Sequence, residues 1–279
     1  MQARYVEVNL LNKEIDDTIQ RDYLTARDEG RQDDQLRMLQ AALRRAEAGT
    51  PSPGMSQFIA MFDWGLLIEN YAPARVAMVA LRDDYTQRLL DGDDDFPSVN
   101  PYLKPSRFKV IAEMNARLGE TRATHALFVQ METRMPDAAR RNAIFALPAI
   151  IAAGDYALAE RYLPDPLAQL DELNASAAHL PLYPAPGHAP RLAGDLSGVI
   201  GKVGMRLIAL NGLGRSEEAR TLREAALAGI VSDEMRALAQ RELEEPGAII
   251  RIVVDRQMAT EAATEAATEA ATDTAAGQT

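Results

Sequence analysis

Cysteine is absent from this 279-residue chain. That excludes disulfides, zinc–thiolate centres and thiol nucleophiles, and it fits a reducing compartment. Aromatic residues are scarce at 5%, so alanine and leucine carry the 47% apolar content, as close-packed helices require. No apolar run has the length of a membrane span. Met1 to Glu7 lacks the apolar core of a signal peptide, so the expected location is cytoplasmic. Base is also in deficit. The formal charge is −11, and Glu261, Glu265, Glu269 and Asp273 leave the tail 259–279 without a single basic residue. An acidic chain repels nucleic acid and anionic lipid at long range, so neither is an expected partner.

What is present is a spacing. Arg117-Leu118-Gly119-Glu120 reads as the turn between two helices, and thirty-five residues on Ala153-Gly154-Asp155-Tyr156 repeats it. Five residues after each glycine stands a small or polar residue (Thr124, Ala159), and nine after it a large apolar one (Phe128, Leu163). Gly30 carries the same count to Gln35, Leu39 and Ala42-Leu43. Gly214 carries it to Ala219, Arg223 and Ala226-Leu227. A recurrence of this kind marks stacked helical hairpins. Near Asn70 the glycine is missing and Pro73 opens the next helix instead, which makes a degenerate unit.

Between these units the periodicity predicts further helices. Val8, Leu11, Ile15, Ile19 and Tyr23 fall at three- and four-residue steps, as on an amphipathic helix. Thr50 to Gly54 and the prolines 97, 101 and 105 mark loops. Pro164 and Pro166 split the helix that follows Gly154. Leu180 to Pro190, with Pro181, Pro184, Pro186 and Pro190, has to be a long non-helical connection. Ile249, Ile250, Val253 and Val254 share a helical face, although their β-branched side chains also suit a strand. The Thr-Glu-Ala-Ala run of 259–279 has no large apolar residue to pack and reads as a disordered tail with transient helix.

The glycine spacing resembles the second half of a tetratricopeptide repeat, whose period is about 34 residues. Ala159 and Ala219 match the family's small residue, Leu39, Phe128 and Leu163 its large apolar one, and Ala42 and Ala226 its later alanine. The family's first-helix tryptophan and Leu-Gly pair are absent. The resemblance covers most of residues 1–230. It implies an all-α fold, a right-handed superhelix of antiparallel hairpins over residues 1–258, followed by the tail. It also implies a non-enzymatic protein or peptide binder, an adaptor, regulator or inhibitor, whose concave groove is lined by first helices. Carried over by position, the groove residues are Lys109, Glu113, Arg117, Arg140, Arg141, Ile144 and Asn211. The family's carboxylate clamp needs an asparagine four residues after a lysine; Lys109 is followed instead by Glu113.

The basic residues Arg117, Arg140, Arg141, Lys202 and Arg206 suit an acidic peptide, or else form a solvated face. Asp91, Asp93 and Asp95 alternate as in a calcium loop. Phe96 and Tyr102, however, occupy the positions needing glycine and a carboxylate, so a plain loop is expected. His179 and His188 flank the proline-rich stretch without an evident third ligand, and no metal or cofactor is expected. Two other readings stay open: an enzyme with its site near residues 180–190, and a structural protein that self-associates through open ends.

Overall fold

The computed structural model describes residues 20–49, 56–96 and 106–276, the last twelve of these as backbone only. The stripe Val8 to Ile19, the turn at Thr50 to Gly54 and the prolines 97, 101 and 105 lie outside the described residues. Those that are described are almost entirely helical. The sole extended pairing among them is a bridge between Asp95 and Ser106. No helix among them is long and apolar enough to cross a membrane. The chain forms two compact units, residues 1–153 and 154–279.

In the first unit, α1 (helical over residues 20–28) is followed by α2 (Gln32–Glu47), α3 (Gln57–Asn70), α4 (Ala72–Leu90), α5 (Arg107–Leu118), α6 (Thr121–Arg134) and α7 (Pro136–Ala152). Neighbours in sequence pack together, and α3, α5 and α7 also pack side by side.

Glycine sets the turns. At Gly119, φ is +74°, a left-handed conformation that costs glycine nothing. Gly119 N–H donates to Ala116 at 3.2 Å and Glu120 N–H to Asn115 at 2.7 Å, the paired bonds of a Schellman C-cap. The same pair of bonds recurs around Gly30 and Gly214. The fifth position then points back at the preceding helix. Asn115 donates to Thr124 at 3.1 Å, and Gln35 donates to the Ala26 carbonyl. At the ninth position Leu39 and Phe128 are fully buried and Leu163 nearly so. Where glycine is missing, Tyr71 makes the turn in one extended residue. The buried Trp64 indole then ties α3 to α4 by donating to the Ala74 carbonyl at 2.9 Å.

The aspartate-rich stretch is a structural clasp. Arg107, 1% exposed, donates to the Asp93 carboxylate at 2.8 Å, the Asp95 carbonyl at 3.0 Å and Glu47 at 3.2 Å. Its guanidinium also lies 5.1 Å from the centre of the Tyr85 ring. Burial works against ionised Asp93, but hydrogen bonds from Arg88 and Arg107 outweigh it and lower its pKa.

The second unit holds α8 (Tyr156–Tyr162), α9 (Leu170–Ala177), α10 (Arg191–Gly212), α11 (Ser216–Ala228), α12 (Asp233–Glu244) and α13 (Ala248–Ala276). The break between α8 and α9 falls at Pro164 and Pro166. Leu173, Leu192, Leu196, Ile200, Ile249 and Val253 belong to one core. The segment with strand character is thus helical, and Glu242 fixes its start by accepting from Gly247 and Ile249 N–H at 2.9 and 2.8 Å. The backbone of the Thr-Glu-Ala-Ala run continues α13 as helix to Ala276, where its composition suggests disorder.

The proline-rich connection is non-helical over residues 178–190 and is held down. Gln257 donates to the carbonyls of Pro184, Ala185 and His188, and Arg256 lies 3.9 Å from the Tyr183 ring centre.

Candidate functional site: the face of α3, α5 and α7

Lys109, Glu113 and Arg117 lie four residues apart on α5, so they share one line along the helix. The structure brings these three together with aromatic side chains from both flanking helices. At one end, Lys109 Nζ sits 5.4 Å from the centre of the Phe145 ring on α7. At the other, the Arg117 guanidinium sits 5.3 Å from the centre of Phe62 on α3. Both are within cation–π range. Gly65 makes room for the arginine, because a Cβ there would come within 2.6 Å of Arg117 Cδ.

Glu113 lies between the two cations, with a carboxylate oxygen 3.7 Å from Lys109 Nζ. Desolvation between the helices raises its pKa, against the pull of Lys109 and Arg117. Arg117 is exposed, attracts the Glu113 carboxylate by charge and rests its guanidinium against the Phe62 ring. An exposed guanidinium held beside a ring is suited to a carboxylate.

Around this line the surface is apolar. Phe58, Phe62 and Leu66 follow one another at four-residue steps on α3 and are 73%, 42% and 48% exposed. On α7, Ile144 and Phe145 are 44% and 37% exposed. Pro148, also on α7, lacks the N–H that would bond the Ile144 carbonyl. Single exposed apolar residues are ordinary; here five stand exposed on the two helices that flank α5.

The other expected groove residues do not join this line so directly. Arg140 and Arg141 are both exposed on α7, and Arg141 pairs with Asp94 at 3.6 Å. Asn211 is exposed near the end of α10, in the second unit. Lys202 bonds Gln169, while Arg206 donates to the Leu163 carbonyl at 3.0 Å. Sequence reasoning missed Phe62, Phe145 and Gly65. Helical spacing places Phe62 in a core, and nothing in the sequence signals that α5 lies beside α3.

A concavity of about 270 Å³ opens between α9 and α10, against Glu172, Asp195, Lys202 and the glycines 194 and 198. His179 and His188 are exposed beside the clasped loop, and no cluster of histidines and carboxylates suited to a metal occurs among the described residues. No protein-family model, curated protein or solved structure matches this chain.

Proposed function

We propose that this chain is a non-enzymatic helical repeat protein, a tetratricopeptide-like right-handed superhelix that binds a protein or peptide and serves as adaptor, regulator or inhibitor. The observation that carries this reading is the α5 line. Two cations are stacked on rings from neighbouring helices, and exposed apolar side chains lie on both sides. Cation–π contact restrains Lys109 and Arg117, which lowers the side-chain entropy lost when they meet a partner. Rigid aromatics with an arginine are the residue types that dominate binding energy at interfaces. The partner it fits is a segment with large apolar side chains and carboxylates. The negative charge of the chain argues against nucleic acid, and its lack of cysteine fits the cytoplasm.

The test is selection of displayed peptides on the immobilised full chain, with re-screening on the double variant Phe62→Ser, Phe145→Ser. Both side chains are partly exposed, so the fold should tolerate the change. Selected peptides should bind the variant at least tenfold more weakly. Equal binding to both forms would overturn the reading.

A further inference from the structure

The concavity between α9 and α10 gathers three charged side chains that form no ion pair among the described residues. Glu172 lines it from α9, and Asp195 and Lys202 line it from α10. Lys202, half-buried, bonds the neutral Gln169 carboxamide at the start of α9. On α11, by contrast, Glu217, Glu218 and Glu224 are all held by arginines. Between the charges the lining is apolar, supplied by the buried Leu173 and Val199.

Two glycines keep the α10 wall of this space open. A Cβ added at Gly194 or Gly198 would meet nothing within 4 Å, so packing does not call for either residue. Other glycines of this unit do answer to packing. A Cβ at Gly212 would lie 2.1 Å from the Tyr156 ring, and one at Gly229 would lie 2.7 Å from Leu170. Glycine weakens a helix interior relative to alanine, so a pair one turn apart with no packing neighbour works against α10. What the pair supplies is room for a ligand to lie against bare backbone. At about 270 Å³ the space is just under the roughly 300–1,000 Å³ of drug-sized sites, which suits one small metabolite.

We propose that this cavity binds a free basic amino acid of the lysine or arginine type. Such a molecule carries one carboxylate and two cationic groups joined by methylenes, the complement of one ammonium and two carboxylates around an apolar lining. Its carboxylate meets Lys202, its cations meet Glu172 and Asp195, and its methylenes cover Leu173 and Val199. The span also fits. Asp195 and Lys202 are seven residues apart, about 10 Å along α10, and two turns bring them to the same face. A diamine would leave Lys202 without an anion, and a neutral amino acid would leave one carboxylate without a cation. The site lies in the second unit and does not depend on the α5 line of the first, so neither reading falls with the other.

Isothermal titration of the full chain with L-lysine and L-arginine tests the proposal. At least one should bind saturably, with one site per chain. The matching amines without a carboxylate, cadaverine and agmatine, should bind at least tenfold more weakly, as should norleucine, which lacks the side-chain cation. Lys202→Met should erase the advantage of the amino acid over its amine. Gly198→Leu should fill the cavity and abolish binding, with helical circular dichroism unchanged and the melting temperature equal or higher. Should that variant disturb the fold, the exposed pair Glu172→Gln with Asp195→Asn carries the same test, with at least a tenfold loss expected. Three results overturn the proposal: no binding of either amino acid at about 10 mM, equal binding of the amine or of norleucine, or binding that ignores these substitutions.

Discussion

Arg117 on α5 reaches across to α3, where its guanidinium carbon lies 5.3 Å from the centre of the Phe62 ring. The contact depends on a third position. Alanine at position 65 would place a Cβ 2.6 Å from Arg117 Cδ and push the side chain off the ring. In an ordinary helix interior, glycine to alanine stabilises by roughly 0.5–1 kcal/mol. Gly65→Ala should therefore leave thermal stability unchanged or higher, yet weaken binding of peptides that need Phe62. A parallel loss of stability and binding would show that Gly65 serves the core alone.

Charge on the α5 line predicts salt dependence. Lys109→Glu with Arg117→Glu should reduce affinity for an acidic peptide at least tenfold, and the remaining binding should no longer weaken as salt is raised from 50 to 500 mM. Arg141 contributes less because Asp94 already engages it. Binding titrations across salt would expose a misplaced surface by showing identical slopes for both forms.

Glu113 supplies a pH test. Its folded pKa is raised, chiefly by desolvation. The folded state therefore favours the protonated acid, and the associated stability is present below the ordinary glutamate pKa and lost as pH rises through the folded value. Glu113→Gln removes that loss. Its melting temperature should match the parent near pH 3 and exceed it near pH 7. A variant that gains at pH 3 and loses at pH 7 would reverse the sign and assign the ion pairs the larger part.

Core and clasp should fail independently. Phe128 is fully buried, with its ring centre 5.9 Å from that of Phe108, so Phe128→Ala should cost about 3–5 kcal/mol. Arg107→Ala strips partners from Glu47 and Asp93 inside the fold and should cost about 3 kcal/mol. Denaturant melts measure both. A loss below about 1 kcal/mol for either would show that its site relaxes around the change.

Removing residues 259–279 takes away four carboxylates and no large apolar side chain, and the side chains of 259–264 are exposed. Stability should change by less than about 0.5 kcal/mol. A larger drop in melting temperature would place the run against the body of the protein.

The sequence by itself determined the local architecture. Gly30, Gly119, Gly154 and Gly214 all adopt positive φ at turns. The polar or small residue five positions on and the apolar residue nine positions on are buried where the spacing indicates, because these features act within one hairpin. Pro164 and Pro166 ended a helix for the same local reason. Which exposed residues meet was beyond its reach. Lys109, Glu113 and Arg117 are legible as one helical line, but Phe62 and Phe145 are 55 and 36 residues from their cations. A side-chain period says which face of a helix is apolar, not which neighbour leaves that face uncovered. Only the tertiary packing of α3 and α7 against α5 set aromatic rings beneath the cations, desolvated Glu113, and turned apolar residues with core spacing into surface.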